Sequence, residues 1–267
     1  MKSKRSTFNA ASSKIGVIFL ISGILSLVFS INSESQIIAF IGLGLTFWGA
    51  LFILITPRKY VEGSLLDSAA ISSYLTIDRI IKDLKYKGKG YYTPPYPKDV
   101  YLPEHLKGLK DMVVFVSAEN EADMPSIQEL AESKFLLQKP QGVLVTPPGL
   151  GLLTQIEKKV NVDFTKISLD ELCEVMPRFI LDDFSLAKEM EMTIEENQVN
   201  LKLSDSIYKN LYSGENNLKS IMLLGCPIVS AVACALAIAS GKTVTIQKQN
   251  VLPDGSTIQV LYRIVQG

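Results

Sequence analysis

The chain has 267 residues, 47% hydrophobic and 20% charged, with a mean hydropathy of +0.23 and 27 basic against 27 acidic side chains. That balance argues against a general nucleic-acid binder, which needs a basic surface to neutralise phosphates. A single histidine, His105, excludes a His-rich metal centre. Three cysteines without paired spacing, Cys173, Cys226 and Cys234, make no disulfide framework and fit a reducing compartment.

Residues 1–14 form a basic N-terminus with Lys2, Lys4, Arg5 and Lys14. Two uncharged runs follow, 15–31 and 37–56, each long enough to cross a hydrocarbon core about 30 Å thick, the first only just. The link between them, residues 32–36, is so short that it forces a transmembrane helical hairpin. Cations flank the outer ends (Arg58 and Lys59 follow the second run) and the link has none. The positive-inside rule therefore places both termini in the cytoplasm. A cleaved signal peptide is the competing reading of the first run. It lacks a small-x-small cleavage site, and a second span follows at once. Ser22, Ser26 and Ser30 on the first helix, and Gly42, Thr46 and Ala50 on the second, repeat every four residues and are expected to face each other. Phe47 and Trp48 then face lipid or a partner. Neither run holds an ionisable residue, so neither reads as a transport path.

Residues 57–90 read as a juxtamembrane helix and linker. Pro57 ends the second span, Ser64 is the expected N-cap, and Leu66, Ala69, Ala70, Ser73, Ile77, Ile80, Ile81 and Leu84 recur at helical spacing up to a stop near Gly88. Lys82, Lys85, Lys87 and Lys89 cluster at its end, either against anionic head groups or as a solvated helix terminus. Residues 91–267 form the cytoplasmic domain. Gly90 to Pro103, rich in tyrosine and proline, reads as an extended strap suited to crossing a domain surface or to recognising a peptide.

Strands are expected at 112–117, 142–146, 190–194, 199–203, 243–248 and 257–265, and helices at 125–137, 152–160 and from Ser168 to about Ile180. Residues 221–240 are uncharged throughout. Gly225-Cys226-Pro227 interrupts them, which favours a core helix of about 14 residues over a third span, with Gly241 as its stop. Alanines at 231, 233, 235, 237 and 239 would let it lie close against a sheet. The fold class expected is a membrane-anchored α+β protein, its sheet mostly antiparallel.

Two stretches, 144–152 (LVTPPGLGL) and 225–237 (GCPIVSAVACALA) running on into 241–246 (GKTVTI), resemble a family of uncharacterised archaeal membrane proteins with two N-terminal spans. That resemblance implies placement and no mechanism. The last helix and hairpin are also faintly similar to the end of vinyl-reductase-type small-ligand-binding domains. This chain lacks that pattern's cysteines in its final hairpin, so no metal site follows.

Cys226, expected to precede a helix starting at Pro227, is the one catalytic candidate: a thiol at a helix N-terminus has a lowered pKa, although buried cysteine is also an ordinary apolar residue. The turn Pro147-Pro148-Gly149-Leu150-Gly151 could present amides to a phosphate, or serve as a rigid connector. It lacks the Lys-Ser/Thr of a P-loop. Leu150, Leu152 and Leu153 could instead touch a membrane or partner. Asp182-Asp183 and Glu195-Glu196 are adjacent acids whose side chains diverge, so no metal ligand set is expected, and no cofactor is implied. Two functions stay open. One is a membrane-tethered binding domain acting as scaffold, sensor or accessory subunit, with the bilayer and a protein partner or second copy as partners. The other is an enzyme acting on a lipid or membrane-bound substrate at Cys226 or the 147–151 turn.

Overall fold

The computed structural model describes residues 5–54, 63–97, 100–120, 123–212, 218–253 and 255–265, with the side chains of 5–14, 54 and 63–67 excepted. The expected roles of Lys2, Lys4, Pro57, Arg58 and Lys59 lie outside those residues. The chain divides into two compact units, Met1–Val61 and Glu62–Gly267.

The first unit is a hairpin of α1 (Arg5–Ser33) and α2 (Gln36–Leu54). Its link is only Glu34 and Ser35, tighter than expected, because both helices run further toward each other. Composition makes Ile15–Ser33 and Gln36–Ile53 apolar and long enough to cross a membrane, and only 17% and 11% of their residues are buried. The seam between them repeats every seven residues. A Cβ added at Gly49 would lie 2.5 Å from Leu20 N, and one at Gly23 2.6 Å from Thr46 N. Gly16 approaches Gly49, Gly23 approaches Gly42, and Ser30 Oγ donates to Ser35 O at 2.8 Å. The four-residue stripe is thus only partly the contact. Ser30, Gly42 and Thr46 lie in the seam, whereas Ser22, Ser26 and Ala50 flank it, half-buried. The hydroxyls of Ser22, Ser26 and Thr46 bond carbonyls of their own helix. Seven residues are nearly two full turns, so glycines at that spacing keep one narrow line of close approach along two nearly antiparallel helices.

The second unit is α+β. One antiparallel sheet of eight strands runs in the order β3-β4-β2-β1-β7-β8-β6-β5. These are β1 (Gly90–Thr93), β2 (Val113–Ser117), β3 (Leu136–Gln138), β4 (Gln141–Val145), β5 (Glu189–Glu195), β6 (Gln198–Ser204), β7 (Thr243–Val251) and β8 (Thr257–Val265). Two strands exceed the expected six. The start of the Tyr/Pro strap is β1, which pairs with both β2 and β7. The expected helix 125–137 shrinks to α4 (Ile127–Ala131), and Phe135-Leu136-Leu137 turns back to pair with β4. Ser126, not Pro125, begins that helix, in a reciprocal capping box with Glu129. The rest of the strap runs into a 3-10 turn at Glu104–Lys110 that carries the exposed His105.

The other helices are α3 (Gly63–Asp83), α5 (Leu150–Val160), α6 (Leu169–Arg178), α7 (Lys219–Leu224) and α8 (Pro227–Ser240). The backbone of α3 starts one residue ahead of the expected Ser64 cap. Ser168 caps α6 by accepting from Glu171 N. Tyr74 and Ile81 of α3, Leu153 and Ile156 of α5, and Leu172 and Met176 of α6 join one core with α7, α8 and the inward faces of the strands. Ala69, Ser73 and Leu84, part of the expected stripe, are exposed, because Tyr74 sets the buried face. Phe115, Leu137 and Leu144 form a second, smaller core on the opposite face, with Leu130 of α4 packed on it. Most outward residues of β5, β6, β8 and β7 are exposed on that opposite face, with Leu261 half-buried and Thr245 buried, and no described helix of the second unit covers the exposed ones.

Lys219–Ser240 is the most apolar of the three long runs, with mean hydropathy 2.5 against 2.3 and 2.0 for the hairpin helices. It is nonetheless 83% buried inside the second unit and broken between α7 and α8. Hydropathy alone does not separate it from the other two; the break and the partners around it do.

Candidate functional site

The break is where the singled-out residues meet. Gly225 has φ +68° and ψ 167°, a backbone state open to glycine. Cys226 follows as N-cap and Pro227 opens α8. A ring of polar side chains holds this kink. On the α3 side, the Asp78 carboxylate accepts from Ser220 N (2.6 Å) and Lys219 N (3.0 Å), so it caps α7. Tyr74 OH donates to Gly225 O at 2.6 Å, and Ser220 Oγ donates back to Tyr74 O at 3.1 Å. From β1, Tyr92 OH donates to Leu224 O at 2.6 Å and lies 3.1 Å from Ser230 Oγ. Tyr262 of β8 donates to Val229 O at 2.9 Å, and Cys226 N donates to Tyr212 OH at 2.9 Å.

The Pro147–Gly151 turn comes to the same place. Gly149 N donates to Ser230 Oγ at 2.9 Å, and a Cβ at Gly149 would fall 2.1 Å from Ala231 N. The start of α5 therefore rests directly on α8. The amide that would greet a phosphate is already engaged, and no space is left beside it. Pro147 and Gly149 are buried, Pro148 and Leu150 half-buried, and Gly151 exposed. Leu153 is 1% exposed, in the core and not on a docking surface.

Electrostatics follow from this enclosure. Cys226 is fully buried, and burial pushes its thiol up. Backbone amides of the first turn of α8 and the Tyr212 hydroxyl pull the other way and are outweighed. The pKa direction expected of a helix N-terminus is thus reversed. Burial also raises Cys234, and brings Cys173 up to about 11 with help from Asp170. Tyr74, Tyr92, Tyr212 and Tyr262 are raised well above the ordinary phenol range by burial first and second by repulsion from neighbouring groups, Cys226 for Tyr74 and Tyr212, Cys234 for Tyr92 and Tyr92 for Tyr262. All three cysteines are free and buried. Chemically, the arrangement is a clamp that keeps a helix broken; the hydroxyls of Tyr74, Tyr92, Tyr262 and Ser220 are donors already committed to carbonyls, and those of Tyr212 and Ser230 accept from backbone amides.

The other candidates lie elsewhere. Lys82, Lys85 and Lys87 are exposed at the end of α3 and Lys89 is half-buried. The backbone of Lys87 and Lys89 bonds Ala118 and Ser117 at the end of β2. Asp182 and Asp183 sit in a π turn after α6, where Asp183 O accepts from Lys159, whose ammonium also lies 4.2 Å from the Phe184 ring centre. Glu195 and Glu196 stand exposed at the β5–β6 turn. No group of three metal-ligating side chains occurs among the described residues. Sequence reasoning missed the four tyrosines, Ser230 and Asp78. The available signal was a tyrosine at an inward position of an apolar face: Tyr74 in the Ile71/Tyr74/Ile77/Ile81 stripe, and Tyr92 and Tyr262 on alternating strands.

A family model described as a domain of unknown function, DUF7982, matches residues 1–263. The chain belongs to the DUF7982 family. No curated protein and no solved structure matches it. The DUF7982 match runs through both units, so the apolar hairpin and the α+β domain are parts of one family architecture. Both the clamp residues and the glycine seam fall inside the match.

Proposed function

We propose that this protein is a membrane-tethered binding domain: α1 and α2 anchor it, and the second unit stands in the cytoplasm as scaffold, sensor or accessory subunit. The observation that carries this is the contrast between the two units. The hairpin turns large apolar side chains outward on all sides of a seam made of backbone contacts; Phe40 and Ile37 are about three-quarters exposed. The outer face of the second unit's sheet is polar. An apolar surface rimming a two-helix unit fits lipid as its solvent. A binding role is favoured over an enzyme at Cys226 because that thiol is enclosed, protonated and surrounded by satisfied hydroxyls. Orientation follows the flanking cations, and on this reading Lys82, Lys85, Lys87 and Lys89 meet anionic head groups. Alkaline carbonate washing of host membranes tests the anchor. The full chain is expected to stay in the pellet; release into the supernatant would contradict a spanning hairpin.

A further inference from the structure

The uncovered face of β5, β6, β8 and β7 carries its charges in a segregated pattern. Strand pairing puts its outward residues in rows across the four strands. One row is Glu191, Lys202, Gln259, Asn250, and the next is Thr193, Asn200, Leu261, Lys248. A third is Glu195, Gln198, Arg263 and the buried Thr245. On β5 every outward charge is acidic: Glu189, Glu191 and Glu195. On the three strands inside it the charges are all basic: Lys202, Arg263 and Lys248. Only Lys202 and Glu191 form a salt bridge, at 3.5 Å. Arg263, Lys248, Glu189 and Glu195 enter none of the described salt bridges. The first two rows line a shallow groove of about 400 Å³. The outward positions of the rows hold no aromatic side chain, so the face offers no platform for stacking bases or sugar rings.

We propose that this face binds the same face of a second copy of the chain, around a two-fold axis parallel to the strands. Such an axis exchanges the outer strand β5 of one copy with the inner strand β7 of the other and keeps each row in place. Lys248 of one copy then lands opposite Thr193 of the other, between Glu191 and Glu195. Arg263 lands opposite Gln198, beside Glu195. Leu261, the one apolar side chain in these rows, sits near the centre. Isologous pairing requires a self-complementary patch, and the acidic edge with a basic interior supplies it. Four strands of seven to nine residues present on the order of 500 Å² of projected surface, at about 3.3 Å per residue and 4.8 Å per strand. That is at the small end for a stable interface, so the dimer is weak and salt-sensitive. This pairing goes beyond the tethering proposal and does not depend on it.

Within one copy, Thr193 and Lys248 stand three strand spacings apart, roughly 14 Å, too far for direct contact. That distance makes a double-mutant cycle decisive. The full-length protein in density-matched detergent is followed by sedimentation across a concentration series at low and high salt. A low-salt dimer that dissociates as salt rises is expected. Lys248→Glu and Thr193→Lys, both at exposed positions, are each expected to weaken it at least about tenfold, and the double variant to return to within about threefold of the parent. Circular dichroism confirms that each variant is folded. A protein monomeric at every concentration, a dimer indifferent to both single changes (as one made by the hairpin would be), or a double variant as weak as the two changes summed would each overturn the proposal.

Discussion

Tyr262 illustrates how single side chains fix this fold. Its ring is fully buried, and its hydroxyl ends on Val229 O in the first turn of α8. Tyr262→Phe keeps the ring and removes only the donor, so urea unfolding should show a loss of roughly 1–3 kcal/mol. Tyr92→Phe should cost at least as much, because it frees Leu224 O and disturbs the Ser230 contact to Gly149. The raised thiol and phenol groups give a pH dependence with a definite sign. Below the unfolded values both states hold these protons and nothing changes. As pH rises past about 9 the unfolded chain begins to lose them while the folded chain keeps them, so stability falls. A melting temperature that is level from neutral pH to about 9 and then drops steeply is expected. A flat profile up to pH 11 would mean that the tyrosines and Cys226 are not enclosed. In the sequence the polar ends of these tyrosines were invisible, because alternation and helical spacing register a tyrosine as one more large side chain. Where its hydroxyl goes is decided by a carbonyl more than a hundred residues away, as with Tyr92 and Leu224.

Among elements, the hairpin and the broken helix repay comparison. Both are built on glycine, one for close approach and one for a turn. Glycine at 16, 23, 42 and 49 lets α1 and α2 touch backbone to backbone, and a side chain at Gly49 would meet Leu20 N. Gly49→Leu should therefore push the helices apart. Spin labels at Ile15 and Ile53 in lipid nanodiscs should report a separation several ångströms longer than in the parent, and an unchanged distance would refute the seam. The existence of both helices was legible in their apolar runs, but their register was not. Serine and glycine both count as small, and only the contact geometry distinguishes hydroxyls folded back on their own helix from glycines in the seam. The β1 and β3 strands escaped for a related reason. Each is at most four residues long, one ahead of prolines and one after a short helix, so pairing with neighbours creates them rather than local pattern.

For the whole molecule, three apolar runs of similar hydropathy meet two fates. Two form a unit of their own with exposed apolar sides, and the third becomes the centre of an α+β domain. What separates them is the partners available. Residues 219–240 have Tyr74, Tyr92, Tyr262, Asp78 and the 147–151 turn waiting for the groups exposed at their break, whereas within their own unit 15–33 and 36–53 pack on each other. The break was readable from Gly225-Cys226-Pro227, and with it the overall class. The open face of the sheet was readable as alternation, but its charge segregation emerged only once the β5–β6–β8–β7 register was known, because the rows join residues up to 68 positions apart.

The central claim is that two runs cross the membrane and the third does not. Labelling introduced cysteines with a membrane-impermeant maleimide tests it most directly, since Cys173, Cys226 and Cys234 are buried and serve as a silent background. Ser35→Cys lies in the hairpin link and Lys242→Cys just beyond α8. The expected result is that intact cells label position 35 and leave position 242 untouched until they are lysed. Labelling of position 242 from outside, with 35 also labelled, would mean that residues 219–240 span the membrane and that the buried-helix account is wrong.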